Sequence, residues 1–162
     1  FLVSDDVLYR QERLKGEVLH WMLSFVKDLN QIDIATITNQ LRSKMPTMYP
    51  FIDSHDSCWP TFNKILSADK LKPFFYVSNA QIFTEKEIVD HLGHACRIDR
   101  LIVTDDEVWI IDYKSSKNEQ DKFIHQVSHY LMAAASLYPR HRRKGFIIYM
   151  DSNEVEHIGS ND

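Results

Sequence analysis

Two apolar runs joined by a short polar turn place the strongest constraint on how this chain can fold. The runs are residues 97–103 (RIDRLIV) and 108–114 (VWIIDYK), and the turn is residues 104–107 (TDDE). This pattern predicts a β-hairpin. Folding it symmetrically about Asp105 and Asp106 puts Asp99 opposite Asp112, with β-carbons about 4.5–5.5 Å apart. Like charges at that separation repel, so the pair requires a cation between its members or a shared proton.

Strand alternation adds a third polar group to this pair. It predicts that both aspartates and Lys114 share the face of Leu101 and Ile110. An aspartate at such an apolar position is costly unless it is paired or bound to a metal. Carboxylates of this kind suit Mg²⁺, which can lower the pKa of a bound water and neutralise charge on phosphorus.

The same residues allow a purely structural interpretation. A salt-bridge network at the strand ends would pair Asp112 with Lys114, or Asp99 with Arg97, and would need no metal. The sequence pattern alone leaves both interpretations open.

Other polar residues are weaker candidates. Glu85 or Glu87, on the strand expected beside residues 95–103, could complete a metal site, or both could lie on a solvated edge. Gln126 and Tyr130 are four apart and therefore share a helix face, from which they could bind phosphate or hold the lysine. His20 lies in a helix, and its spacing alone is typical of an ordinary boundary residue.

Composition narrows the class of protein. The 162 residues are enough for one domain, residues 1–162. Cys58 and Cys96 are far apart and predict neither a disulfide nor a cysteine metal site, which favours a reducing compartment. We expect the protein in the bacterial cytoplasm or nucleoid. No stretch has the length of a membrane span and no signal peptide is visible. Because the chain begins with Phe1, we expect a C-terminal fragment of a longer protein.

Charge bears on possible partners. The net charge of −4 is unfavourable for a free-standing DNA-binding protein, because duplex affinity depends on Lys and Arg contacts to phosphate. The basic run at residues 140–144 (RHRRK) is a local exception. The remaining histidines show no metal-ligand spacing, and we expect them at the surface.

Hydrophobic periodicity predicts the order of elements. A helix at 5–29 is followed by a peripheral helical insertion at 31–78, broken into turns and short helices by Pro46, Pro50, Pro60 and Pro73. Strands at 81–90, 95–103 and 108–114 precede a helix at 122–138 that faces the core through Phe123, Val127, Tyr130, Leu131, Ala134 and Leu137. Strands at 145–150 and 155–158 follow. The fold class is therefore α/β, with a central mixed sheet flanked by helices.

Several short motifs occur in a familiar order. They are Gly16-x-x-x-His20, a glutamate within Phe83-Thr84-Glu85-Lys86-Glu87-Ile88, Arg97-Ile98-Asp99-Arg100, Ile111-Asp112-Tyr113-Lys114-Ser115, Gln126-x-x-x-Tyr130, and the stretch from Leu137-Tyr138-Pro139 to Ile147-Ile148-Tyr149. In this order the chain resembles the PD-(D/E)XK nuclease superfamily, and within it the RecB/AddA-type C-terminal nuclease domain of helicase–nucleases. The resemblance implies a restriction-endonuclease-like core, and it covers residues 5–29 and 80–158.

The resemblance also implies roles for individual residues. Metal ligands would be His20, Asp99, Asp112 and the carbonyl of Tyr113, and the ion would be magnesium, with manganese as a substitute. Lys114 would be the catalytic lysine, Gln126 and Tyr130 the helical pair, and Glu85 more readily than Glu87 the motif glutamate. The catalytic set would thus be Glu85, Asp99, Asp112, Lys114, Gln126 and Tyr130.

The implied activity is magnesium-dependent DNA hydrolysis, of the exonuclease type, within a machine for double-strand-break repair. The partners would be DNA and a helicase domain, in the same parent chain or in another subunit, with no membrane involved. Two departures from the family pattern stand out: two cysteines cannot hold the four-cysteine iron–sulfur cluster of AddB-like relatives, and helicase motifs are absent.

Two alternatives remain, a catalytically inactive nuclease-like domain that binds DNA or scaffolds a helicase, and a standalone restriction-type or phage-type exonuclease.

Overall fold

The structure, a computed structural model, describes residues 5–50 and 57–159. Its helices are α1 (Asp5–Ser24), α2 (Ile34–Met48), α3 (Cys58–Ser67), α4 (Lys72–Phe75, preceded by the 3₁₀ turn Asp69–Leu71) and α5 (Gln120–Leu137). Its strands are β1 (Gln81–Val89), β2 (Ala95–Val103), β3 (Glu107–Lys114), β4 (Arg142–Tyr149) and β5 (Glu154–Ile158). Within these described ranges, no helix has both the length and the apolar character needed to cross a membrane.

The five strands form one mixed sheet in the order β1-β2-β3-β4-β5. Strands β3 and β4 are parallel, and the other neighbours are antiparallel. Helix α5 makes the crossover that a parallel pair requires. The hairpin register predicted from the sequence is confirmed, since Arg100 pairs with Ile111 and Val103 pairs with Val108. The predicted α/β class, a mixed sheet flanked by helices, is therefore confirmed.

Apolar residues on the two faces of the sheet form two cores. Ile102, Ile111 and Tyr113 pack towards α1, α2, α3 and α4. Leu101, Val108 and Ile110 pack towards α5. The central strands are covered on both sides, as their continuous apolar runs predicted.

The segment after α1 is helical as expected, but it is not peripheral. Phe62, Ile65, Leu71 and Phe75 are fully buried and supply much of the first core. The prediction failed because it gave weight to the prolines rather than to the apolar residues between them. Pro60 and Pro73 lie in the first turns of α3 and α4, where a missing N–H costs little.

Two further boundaries differ from expectation. Helix α2 runs through Pro46 rather than breaking there. Helix α1 ends at Ser24 instead of residue 29, and the carbonyl oxygens of Val26 and Lys27 beyond it accept hydrogen bonds from the buried guanidinium of Arg100. That long-range contact leaves no local signal in the sequence.

Helix α5 packs closely on β4 at Gly145. A β-carbon at this position would lie 2.6 Å from Val127 Cγ1 and 3.2 Å from the carbonyl oxygen of Ile158. The missing side chain therefore sets the distance between helix and sheet. The core-facing residues of α5 are as predicted except for Leu137, which is 53% exposed in the last turn.

Candidate active site

Strands β2 and β3 separate beyond their last pair, Arg100 with Ile111. The space that opens there, next to Asp99 on β2 and Asp112 on β3, is called the gap below. At the next position the carboxylate of Asp99 replaces the missing backbone partner, because its Oδ2 accepts a 2.8 Å hydrogen bond from Tyr113 N. Ile98 and Leu101 both pack on the α5 side, so the alternation of β2 changes phase at Asp99. Strict alternation through Asp99 was therefore wrong, although Asp99 still lies near enough to Asp112 for its charge to raise the pKa of that carboxyl.

Helix α1 brings His20 to this gap. Its Nδ1 lies 2.9 Å from Gly16 O, and its Nε2 lies 2.9 Å from Tyr113 O and 3.3 Å from Asp99 Oδ2. A neutral imidazole has one N–H and one lone pair, yet here both nitrogens face oxygens. A positive charge is required at this point, either a second proton or a cation. Burial lowers the pKa of His20, but its contact with Asp99 outweighs this and raises the pKa to about 9.

Asp112 lies on β3 next to the gap and is almost fully buried. Burial, followed by the charge of Asp99, raises the pKa of Asp112 to about 6, while Lys114 acts in the opposite direction. Asp112 Oδ2 lies 2.9 Å from Lys114 Nζ, but the contact lacks hydrogen-bond geometry and this oxygen has no hydrogen-bond partner. The ion pair therefore satisfies Asp112 only in part.

Helix α5 holds Lys114 from the other side. Lys114 Nζ donates to Gln126 Oε1 at 2.7 Å, and Gln126 Nε2 donates to Tyr130 Oη at 2.8 Å. The four-residue spacing of Gln126 and Tyr130 thus puts both on the face that meets the lysine. Burial raises the pKa of Tyr130 to about 12, with Asp112 contributing, which keeps its hydroxyl protonated.

Glu85 lies beside this cluster, with an unusual backbone. It would pair with Asp99 in the β1–β2 register, but that pair is missing, and the φ of Glu85 is +51°. Burial and then Asp99 raise the pKa of Glu85, while its Oε2 lies 2.9 Å from Arg97 Nε. Glu87 is exposed and pairs with Arg97 across the ladder. Glu85 is therefore the glutamate that borders the gap, and Arg97 contacts Glu85 rather than Asp99.

An open cleft leads to the gap from the α1 side. Gly16 and Ser115 line it together with Arg13, His20, Glu85 and Arg97. A β-carbon on Gly16 would lie 2.7 Å from Ser115 Oγ, so this glycine permits α1 to approach the end of β3. The spacing of Gly16 and His20 thus serves two contacts. Gly16 lets α1 approach Ser115, and the carbonyl oxygen of Gly16 lies 2.9 Å from His20 Nδ1.

The basic run at residues 140–144 lies at the opposite end of the strands. Arg142 and Lys144 are adjacent to the start of β3, where both contact Glu107. Arg142 also pairs with Asp106 at 2.8 Å. This run is therefore partly neutralised, and it is separated from the gap by the length of β3. Whether this run contacts DNA stays a prediction.

The comparison with known families identifies the superfamily of the chain as a whole. A family model of the PD-(D/E)XK nuclease superfamily matches residues 8–160, which is nearly the whole chain. The chain belongs to the PD-(D/E)XK nuclease superfamily. No curated protein matches the chain.

Members of the PD-(D/E)XK superfamily typically use divalent metal ions, and the donor types of the residues at the gap suit such an ion. His20 Nε2, Tyr113 O and Asp99 Oδ2 lie close together, and the unsatisfied Oδ2 of Asp112 lies next to them in the sheet. Their donors, three oxygens and one imidazole, suit Mg²⁺ or Mn²⁺. Asp112 is directed towards Lys114, so closing the ligand set requires its carboxylate to rotate.

Arg100 has a structural role in this PD-(D/E)XK domain that the sequence analysis did not predict. It is fully buried, donates to the carbonyls of Phe74, Val26 and Lys27, and lies over the ring of Phe75. It follows Asp99 directly, so it fixes β2 against the helices at the position where the gap opens. The position of an arginine within an apolar strand could have predicted this role, because a buried arginine must find hydrogen-bond acceptors.

Proposed function

We propose that this PD-(D/E)XK domain hydrolyses DNA phosphodiester bonds with the help of a divalent metal, magnesium in the cell. The observation that carries the proposal is the meeting of His20, Asp99 and Tyr113 O, where two acceptor oxygens face Nε2 of an imidazole whose Nδ1 is already hydrogen-bonded to a backbone carbonyl. A metal ligand set explains this arrangement without the need for a doubly protonated histidine.

His20, Asp99, Asp112 and the carbonyl of Tyr113 would hold the metal. When bound, such an ion lowers the pKa of a coordinated water and neutralises charge on the phosphate. The reaction forms a bond from the water oxygen to phosphorus and breaks the bond from phosphorus to a sugar oxygen. The water loses a proton, and the departing sugar oxygen gains one.

Lys114 would act on the phosphate and the attacking water. Its ammonium group donates hydrogen bonds, and its Nζ is held between Asp112 and Gln126. Preorganised donors of this kind stabilise charge that develops in the transition state. Gln126 and Tyr130 would keep the lysine in place and contact the DNA backbone, while Arg97 and Arg13 in the cleft offer charge for further phosphates.

A nuclease assay on end-labelled linear DNA with magnesium tests this proposal. We expect cleavage that EDTA abolishes and that Asp112→Asn and Lys114→Met each reduce by at least about 100-fold. Asp105→Asn, in the exposed turn of the same hairpin, and Lys122→Met, exposed on α5, are matched controls that should cleave normally. Equal rates in Asp112→Asn and the wild type would exclude the assignment.

Titration with manganese separates an active enzyme from the inactive nuclease-like alternative. We expect Mn²⁺ to bind the wild type at millimolar concentration or below, and binding to be lost in Asp99→Ala. Lys114→Met should keep manganese binding while losing turnover. Absence of manganese binding in the wild type would favour a domain that only binds DNA or scaffolds a partner.

We further propose that the domain acts as an exonuclease module of a double-strand-break repair helicase–nuclease. The order of motifs from Gly16-x-x-x-His20 to Gln126-x-x-x-Tyr130, which resembles RecB/AddA-type domains, supports this. A negatively charged module is also compatible with a motor that delivers the DNA strand. Comparing linear with covalently closed circular DNA tests the exonuclease part, because only the linear form should be degraded.

A further inference from the structure

We propose that this domain has a second metal site, for zinc, at the tip of the β1–β2 hairpin, formed by Asp90, Cys96 and His129 with His94 as the fourth ligand. Within the described residues, the first three form the one group of histidine, cysteine or acidic side chains whose donor atoms all lie within 4.8 Å of one another. The site does not depend on the proposed nuclease function, and it shares no residue with the gap between β2 and β3.

Asp90 divides its two oxygens between separate tasks. Its Oδ1 accepts hydrogen bonds from the backbone of Leu92 and His94, both at 2.8 Å, which fixes the turn. Its Oδ2 has no hydrogen-bond partner and is buried, since the side chain is only 1% exposed. A buried carboxylate oxygen without a partner is costly, and a bound cation removes that cost.

Two imidazoles lie within ion-pair distance of this oxygen without forming a hydrogen bond to it. His129 Nε2 is 3.2 Å from Asp90 Oδ2, and His94 Nδ1 is 3.3 Å from the same atom. Both distances would suit a hydrogen bond, yet neither contact has the required geometry. Zinc bonds of about 2.0–2.1 Å to nitrogen and oxygen separate neighbouring tetrahedral ligands by about 3.3 Å. The separations of both nitrogens from Asp90 Oδ2 match this distance, and the ring of His94, which lies outside the close group of three, would turn towards it to complete the site.

The chemistry of the donors selects zinc rather than magnesium. Cys96 supplies a sulfur ligand, and the two histidines supply imidazole nitrogens, which zinc accepts and magnesium does not favour. A thiolate and a carboxylate together neutralise a doubly charged ion. His94 is 71% exposed and His129 44%, so both rings can adjust and the ion has a path from solvent.

The site would join three elements of the fold. Asp90 follows β1, Cys96 lies in β2 and His129 lies in α5. Bound zinc would therefore tie the hairpin tip to the helix that carries Gln126 and Tyr130. Because His129 and Tyr130 are adjacent, the predicted effect of zinc is to fix the position of α5 on the sheet.

Cobalt binding to the metal-free chain of 162 residues tests this proposal. We expect one Co²⁺ per chain to give the visible bands of a tetrahedral complex and a near-ultraviolet thiolate-to-cobalt band, and we expect zinc but not excess magnesium to remove these bands. Cys96→Ser should remove the thiolate band. Cys96→Ser and His129→Ala should each weaken binding by at least about 100-fold, the upper end of what loss of an outer-shell partner costs.

Matched controls separate this site from its surroundings. Cys58→Ser alters the cysteine of the other core, and His125→Ala alters an exposed histidine one turn before His129, so both should bind cobalt normally. Asp112→Asn should also keep the cobalt spectrum, which distinguishes this site from the proposed magnesium site. Circular dichroism checks that each variant is folded.

Three results would overturn the proposal. The first is zinc affinity weaker than micromolar in the wild type. The second is a thiolate band that survives Cys96→Ser or disappears in Cys58→Ser. The third is a cobalt spectrum that Asp112→Asn abolishes while His129→Ala leaves it unchanged.

Discussion

Gln126 Oε1 accepts a hydrogen bond of 2.7 Å from Lys114 Nζ, so the position of the lysine at the end of β3 is set by helix α5. The same amide donates to Tyr130 Oη, which fixes its orientation. Gln126 and Tyr130, which the sequence alone indicates only weakly as functional residues, thus together hold Lys114 in place.

Replacing Gln126 tests this support. We expect Gln126→Leu to lower the turnover number by about 100-fold, because displacement of a reacting group by about 1 Å has effects of this size. Manganese affinity should stay unchanged, since Gln126 does not touch the proposed ligands. The check is single-turnover cleavage together with a metal titration. Ser128→Ala, on the same helix, should leave both unchanged.

Glu85 provides a test of function against stability. Its φ of +51° is a conformation that glycine adopts at little cost. We therefore expect Glu85→Gly to keep or raise the free energy of unfolding, by up to about 1 kcal/mol, while it lowers nuclease activity. Urea unfolding and the DNA assay measure the two effects. Glu87→Gly, on an exposed part of the same strand, should instead destabilise the protein by about 0.5–1 kcal/mol and spare activity.

Arg100 should be essential for stability. We expect Arg100→Met to lower the free energy of unfolding by about 3–5 kcal/mol, because three carbonyl oxygens lose their donor. Arg97→Met is the matched control three residues earlier. Its side chain is 67% exposed, and its stability should change by less than about 0.5 kcal/mol. Equal stabilities of the two variants in urea would contradict this account of the buried guanidinium.

Glu107 should make stability depend on pH. Lys144, then Trp109, lowers the pKa of Glu107 below its ordinary value of 4.5. A carboxyl group with a lowered folded-state pKa stabilises the protein above pH 4.5, and this contribution is lost as the pH falls through the folded-state pKa. We expect Glu107→Gln to cost about 1–2 kcal/mol at pH 7 and progressively less below pH 4.5. Unfolding of both proteins across this range is the measurement, and a cost independent of pH would contradict it.

The sequence predicted those parts of the fold that depend on local pattern. The hairpin register followed from the position of the turn, and the two-sided burial of β2 and β3 followed from their apolar runs. The resemblance to a known family supplied His20, which spacing alone made unremarkable. The structure brings His20 within 3.3 Å of Asp99, although its role as a ligand stays a prediction.

Features that depend on long-range packing could not be predicted. Arg100 meets carbonyls more than twenty residues away, and nothing in the local pattern indicates which acceptors it finds. The donors of Asp90, Cys96 and His129 approach one another only because β1 pairs with β2 and α5 packs on the same face, so their spacing in the sequence resembles no metal motif. The backbone of Glu85 likewise departs from strand geometry where the sequence reads as a regular strand.

Helix α5 carries Gln126 and Tyr130 towards Lys114, and it carries His129 towards Asp90. A small rotation of this helix about its own axis would alter both sets of distances at once. The cleft and the hairpin tip therefore share one helix, and we expect a substitution that shifts α5 to change both.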